Sequence, residues 1–291
     1  MMLASRPAPD GSAKAERVFS PSFQGNFRVD GDIGVMALVS FLHVEKVYEF
    51  HGRGRYTAVQ DFSLQLEAGE FFCLLGPSGC GKTTVLNMLA GFEFPTAGTI
   101  SVGDQSIQGP GPERAVVFQG EDSLFGWLTA RDNVEFGLRM RGMSAKERKE
   151  RARHYLQLVG LGAQEDKYPS QLSGGMKQRI QIARVLANEP TMLLMDEPFA
   201  ALDAQTRILM QEQLREIASM AGISVFFVTH DIDEAIVLGS RIGVMKAGPS
   251  STLKDVVDVS IPGERNRTDS AFMAVYRRIY HMIREEVSGH P

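Results

Sequence analysis

The chain has 291 residues, 43% of them hydrophobic and 23% charged, and a formal net charge of −4. That balance suits a globular protein with length for a sizeable core and gives no electrostatic reason for a nucleic-acid partner. Two cysteines, Cys73 and Cys80, are too few for a disulfide framework, and the apolar run at 33–42 is about half the roughly 20 residues of a membrane span.

Residues 1–35 are rich in Pro, Gly, Ser and Asp without a sustained period, which predicts a disordered leader. From Phe41 the stretches FLHVEKVYEF and VQDFSLQL (59–66) alternate apolar and polar residues. They read as an antiparallel pair of half-buried strands. FFCLL (71–75) is short and wholly apolar, as a central parallel strand covered on both faces must be. The nonapeptide GPSGCGKTT follows, matching G-x-x-x-x-G-K-[ST] at Gly76, Gly81, Lys82 and Thr83; ordinary residue frequencies would produce that match by chance on the order of one time in a hundred. A helix is expected from Thr83 to Ala90, stopped near Gly91.

Further apolar runs at 115–118, 191–195, 224–229 and 241–245, with helical patterns between most of them, predict a parallel sheet with helices on its faces. Residues 121–188 hold no convincing strand, and MSAKERKERARHYLQLVGL (143–161) is an amphipathic helix, so this segment reads as a helical insertion. The tail SAFMAVYRRIYHMIREEV (270–287) predicts a second amphipathic helix that packs on the main domain.

In the loop, backbone N–H groups of Ser78, Gly79, Cys80, Gly81, Lys82 and Thr83 can converge on phosphate oxygens, with the positive end of a helix dipole behind them. Lys82 supplies a point charge and the Thr83 hydroxyl a Mg²⁺ ligand. Cys80 reads as a small loop residue, not a reactive thiol. At the end of the strand MLLMDE (192–197), Asp196 is a candidate metal ligand acting through a neighbouring group or a water, and Glu197 is placed to polarise an attacking water. In LSGGMKQR (172–179), Ser173 is a candidate helix cap and the N–H groups of Gly174 and Gly175 are free for an anion.

Over about 41–245 this order and spacing resembles the ATP-binding cassette proteins, the nucleotide-binding subunits of ABC transporters. The resemblance implies an α/β fold: a mostly parallel P-loop NTPase sheet with helices on both faces, N-terminal antiparallel strands and a helical subdomain at about 121–188. The ATPase domain would then span 38–270 and the C-terminal helix 271–291. Gly76–Thr83 matches the Walker A loop, with Pro77 inside it and Thr84 just after it as further ATP contacts. The strand ending at Asp196 matches Walker B, with Glu197 at the catalytic glutamate. LSGGM looks like the LSGGQ signature, with Met176 for glutamine. Gln119 matches the glutamine that contacts Mg²⁺, and Gly120 after it is an apparent extra residue. His230 matches the histidine that contacts the γ-phosphate, and Asp203 in ALDAQ the aspartate at the dimer seam. Tyr48 fits the aromatic that stacks on adenine, with Phe50 and Tyr56 as alternatives.

The family implies ATP and Mg²⁺ as ligands and a head-to-tail dimer, in which Ser173, Gly174, Gly175 and Asp203 serve ATP held by the other copy. With one cassette and neither fused spans nor long coiled coils, the chain reads as an importer ATPase, peripheral at the cytoplasmic membrane face. Its partners would be a permease and, indirectly, an extracytoplasmic substrate-binding protein. EDSLFGWLTARDNVEFGLRMRGM (121–143), SGGMKQR and the tail look like the nitrate/sulfonate/taurine branch. A soluble, nucleotide-switched scaffold without a transport partner is the alternative, which co-purification of a multi-span permease would separate.

Overall fold

In the computed structural model, residues 37–50, 54–117, 124–200, 202–261, 263 and 265–288 are described. The expected leader at 1–35, Gln119 and Gly120 all lie outside them. Strands β1 (Ala37–Phe50) and β2 (Gly54–Glu67) pair antiparallel, and β1 also pairs with β4 (Ala97–Val102), which carries the two-residue β5 (Gln105–Ser106) at its edge. The result is a four-stranded sheet ordered β2-β1-β4-β5. Along β2, buried Phe62, Leu64 and Leu66 alternate with exposed neighbours, the two-residue period of a sheet with one face on the core.

The second sheet has six strands: β3 (Phe71–Leu75), β6 (Arg114–Val117), β7 (Met192–Asp196), β8 (Ser224–Thr229), β9 (Arg241–Met245) and β10 (Leu253–Asp258). Their order is β10-β9-β3-β8-β7-β6, and all neighbours are parallel except β10, which runs antiparallel at one edge. Both faces are covered, so β3 and β8 are buried at every position. Alternate side chains serve two cores. Phe72, Leu74, Leu194, Phe226 and Val228 join the antiparallel sheet and α1 (Lys82–Ala90). Phe71, Cys73, Leu75, Leu193, Met195 and Phe227 face the remaining helices.

Between β6 and β7 the described residues form helices only: α2 (Ala130–Met140), α3 (Ala145–Leu158) and α4 (Gly174–Leu186), with short 3-10 turns between the last two. Each has a side-chain cap, from Thr129, Ser144 and Ser173 respectively, and the three pack on one another. Helices α5 (Ala204–Ala221) and α6 (Ile232–Leu238) follow β7 and β8. The tail forms α7 (Ser270–Ser288), which lies on α6 and buries Phe272 and Ile279 completely. Arg265, just ahead of it, donates to the carbonyls of Ile236 and Gly239 at 2.6 Å each, satisfying the open C-terminal end of α6.

Strand β4 had no sequence signal. AGTISV, which forms β4, starts with three exposed residues, Gly98 among them, so neither alternation nor an apolar run marks it; pairing with β1 makes it a strand.

Candidate active site

The phosphate loop lies between β3 and α1, at the carboxyl edge of the parallel strands, where open α/β sheets bind ligands. Gly81 caps α1 with φ 90°, and a Cβ there would lie 3.0 Å from the Ala58 carbonyl oxygen, so only glycine fits. Val85 donates to Gly81 O at 2.9 Å. The N–H groups of Lys82, Thr83 and Thr84, in the first turn, therefore stand outside the helical ladder. Ser78, Gly79 and Thr83 are exposed, whereas Cys80 is buried, and burial pushes its thiol pKa up. A protonated, enclosed thiol is a packing group.

Lys82 is 6% exposed and its Nζ donates to the carbonyls of Gly76 (2.8 Å) and Pro77 (2.9 Å). The ammonium is thus folded back over the loop that it would share with phosphate oxygens. Across from it, Thr83 Oγ1 donates to Asp196 Oδ2 at 2.9 Å, joining the start of α1 to the end of β7. Burial holds the Asp196 carboxyl above the usual carboxylate range, and the charge of neighbouring Glu197 adds to that, while the Thr83 hydrogen bond opposes it. A buried carboxylate beside a second acid is an anionic site that a cation would relieve.

Glu197 adopts φ 44°, a left-handed conformation that costs a non-glycine residue about 1–2 kcal/mol. Its N–H donates to Val228 O at 3.0 Å, and its Oε1 lies 2.9 Å from His230 Nδ1. The bend turns the side chain across the strand ends to meet the histidine that follows β8. Strain of this kind concentrates at working sites because the surrounding structure has to enforce it.

Ser173, Gly174 and Gly175 do not join this group within one chain: among the described residues, no hydrogen bond links them to Lys82, Thr83, Asp196, Glu197 or His230. Ser173 caps α4, its Oγ accepting from Met176 N–H at 3.4 Å, and the first ladder bond runs from Lys177 to Ser173 O at 2.9 Å. The N–H groups of Gly174 and Gly175 are left outside the ladder. Asp203 caps α5, accepting from Thr206 N–H at 3.0 Å, and hydrogen bonding from the Thr206 side chain and then its backbone lowers the carboxyl pKa. These two caps are neighbours. A Cβ on Gly175 would lie 3.0 Å from Leu202 Cδ2, and Arg179 of α4 interacts electrostatically with Asp203.

Tyr48 lies on β1 with its hydroxyl donating to Glu93 Oε2 at 2.6 Å and Lys46 Nζ 5.0 Å from its ring centre. Tyr56 is its cross-strand neighbour, and Phe50 is 53% exposed near the strand end. Glu93, which holds Tyr48, and Glu234, which lies buried behind His230, were not singled out from the sequence. Neither belongs to a motif, and only the tertiary fold brings them to their partners.

A phosphate loop on a parallel sheet, a hydroxyl–carboxylate pair beside it and a paired acid and histidine at the next strand ends define a P-loop ATPase. A family model described as ABC transporter matches residues 59–200. The nitrate import ATP-binding protein of a Synechocystis strain is 46% identical over 220 residues, covering 74% of this chain and 82% of that protein. The bicarbonate transport ATP-binding protein of Synechococcus elongatus is 44% identical over 251 residues, 86% of this chain but 37% of that longer protein. A solved dimeric ATP-binding cassette in a post-hydrolysis state, bound to ADP and Pi, superposes with a TM-score of 0.69 at 33% identity, covering 77% of this chain and 99% of that one. The chain belongs to the ABC transporter family, and it is an ATP-binding cassette ATPase.

Proposed function

We propose that the chain is the ATP-hydrolysing subunit of an importer for a small anion of the nitrate, sulfonate, taurine or bicarbonate kind, working as a head-to-tail dimer beneath a separate permease. The observation that carries this reading is the division of the nucleotide machinery. Lys82, Thr83, Asp196, Glu197 and His230 meet at one sheet edge, while Ser173, Gly175 and Asp203 share another surface. A second copy, turned head to tail, supplies the missing half.

In that arrangement the loop N–H groups and Lys82 hold the phosphates, Lys82 exchanging its carbonyl partners for phosphate oxygens. The donor set fits Mg²⁺: Thr83 Oγ1 and an Asp196 oxygen are hard ligands 2.9 Å apart, and among the described residues no group of three or more His, Cys, Asp or Glu is disposed to hold a metal ion by itself. Phosphate oxygens and water complete such a shell, as this ion prefers. When bound, the ion neutralises phosphate charge. Glu197 accepts the proton of the attacking water as the water oxygen bonds to the γ-phosphorus and the bond to the ADP oxygen breaks. His230 fixes the Glu197 carboxylate and reaches the γ-phosphate. Tyr48 is the adenine platform, with Glu93 holding its ring. Gln119 is assigned to the metal by position in the sequence alone.

The permease contact is assigned to a cleft of about 510 Å³ between the sheet and the helical segment, lined by Pro112, Phe125, Phe136, Met140 and Arg184 among others. Trp127 is 75% exposed and packs on Phe125 at 5.4 Å between ring centres. An aromatic-lined cleft suits an inserted helical segment of a membrane subunit. No described helix is long and apolar enough to cross a membrane, so the spanning segments would belong to that subunit and this chain would sit peripherally at the cytoplasmic face. The loaded substrate-binding protein would act through the permease.

Glu197→Gln tests the catalytic part. The variant is expected to form an ATP-dependent dimer while hydrolysis falls by about 10²–10⁴-fold. Unchanged turnover removes Glu197 from its assigned role, and a monomer at saturating ATP removes the head-to-tail dimer. Recovery of a multi-span permease with the chain from native membranes tests the transport part.

A further inference from the structure

Behind His230 lies a buried polar cluster that no part of the hydrolysis described above uses. Thr229, the last residue of β8, is 1% exposed, and its hydroxyl donates to Glu234 Oε2 at 2.5 Å. The Thr229 hydroxyl oxygen in turn accepts from the N–H of Asp231 at 3.0 Å. Asp231 caps α6, its Oδ1 accepting from Glu234 N–H at 3.2 Å. The other Glu234 oxygen accepts from Gln211 Nε2 at 3.0 Å, from within α5. His230 is therefore bracketed: the residues before and after it share one hydroxyl, which a carboxylate from the next helical turn grips, itself held from behind.

Stability does not account for this arrangement. Glu234 is 6% exposed, and no lysine or arginine forms an ion pair with it among the described residues. Burial raises its carboxyl pKa. A buried carboxylate with hydrogen bonds but no ion-pair partner is a poor substitute for a packed apolar side chain. What it supplies is direction, because its two hydrogen bonds, with the Asp231 cap on the Glu234 N–H, leave the turn between β8 and α6 one arrangement. That arrangement sets the His230 side chain, 61% exposed, against Glu197 at 2.9 Å.

We propose that Thr229 and Glu234 are positioning residues for ATP hydrolysis, acting through His230. The inference rests on the role given to His230 above. Placement matters at this scale, since a displacement of about 1 Å in a reacting group can cost on the order of a hundredfold in rate.

The test is single-turnover and steady-state ATPase measurement on the full chain carrying Thr229→Val, which keeps the side-chain shape and removes both hydroxyl bonds. We expect kcat to fall about tenfold or more with the KM for ATP changed less than about twofold, and Thr229→Ser to restore it. In a His230→Ala background Thr229→Val should have no further effect, because the two act as one unit. Glu234→Gln, which keeps the volume but replaces one acceptor oxygen with an NH₂, is the second variant and is held to the same comparison. The proposal is overturned if both variants keep full kcat, or if each lowers it by the same factor with and without His230, as a general loss of folding would. Full turnover in His230→Ala alone would instead overturn the role of the histidine, and the inference with it.

Discussion

The phosphate-loop edge and the signature surface are built from the same device, the start of a helix, yet they differ in what they hold. At α1, Lys82 and the orphan N–H groups face Asp196, and two acids and a histidine are drawn together by neighbouring strands of one sheet. At α4 and α5, Ser173 and Asp203 serve their own caps, and among the described residues no hydrogen bond links them to Lys82, Asp196, Glu197 or His230. The first is a site short of its final donors. The second is a set of donors without a site. A sheet edge can concentrate charge because parallel strands end side by side, whereas the helix cap in the inserted segment gathers no such set, and in the proposed head-to-tail dimer a second copy would bring it to its target.

The largest effect expected from this comparison is complementation. Lys82→Ala and Ser173→Arg should each cut turnover of the homodimer by about 10²–10³-fold. Mixing the two variants should recover activity, because one of the two shared sites is then intact. Recovery in an ATPase assay supports sites divided between copies, and its absence confines each site to one chain.

Asp196→Asn sharpens the first half of the comparison. The native state holds this carboxyl above its ordinary pKa, so the folded chain favours the protonated form and ionisation at neutral pH works against stability. Removing the charge should keep or raise the melting temperature of the nucleotide-free chain, while Mg-ATP turnover falls about 10–100-fold. A fall in melting temperature without loss of turnover would assign Asp196 a structural part only.

Trp127→Ala should leave hydrolysis by the chain alone unchanged and weaken stimulation by the permease several-fold, as loss of an exposed aromatic anchor does. The smallest effect is at the cap: Ser173→Gly should cost a few tenths of a kcal/mol in stability by thermal or urea denaturation. A loss of turnover beyond that would separate contact with the nucleotide from capping of α4.

Phosphate-loop chemistry was legible because it depends on residues close in sequence: Gly81 caps the helix that Lys82 begins, and the wholly apolar β3 leads into it. Strands β8 and β9 lie where their apolar runs end, at Ser224–Thr229 and Arg241–Met245, since burial on both faces demands an unbroken run. Strand β4 escaped notice because exposed residues and a glycine erase its pattern, and its partner β1 is far away in the chain. The left-handed bend at Glu197 had no signal either, since glutamate does not announce a positive φ.

By itself, then, the amino-acid sequence determined the local matters: most of the strands and helices, which helix starts leave N–H groups outside the ladder, and which acids end a strand. Tertiary structure decided which of these meet. It put Thr83 against Asp196, Glu197 against His230 and Glu93 on Tyr48, and it set Gly175 beside Leu202 instead of beside Lys82. The reason is that periodicity and capping act over a few residues, whereas these meetings follow from strand order, and strand order is chosen by the burial of two whole sheet faces at once.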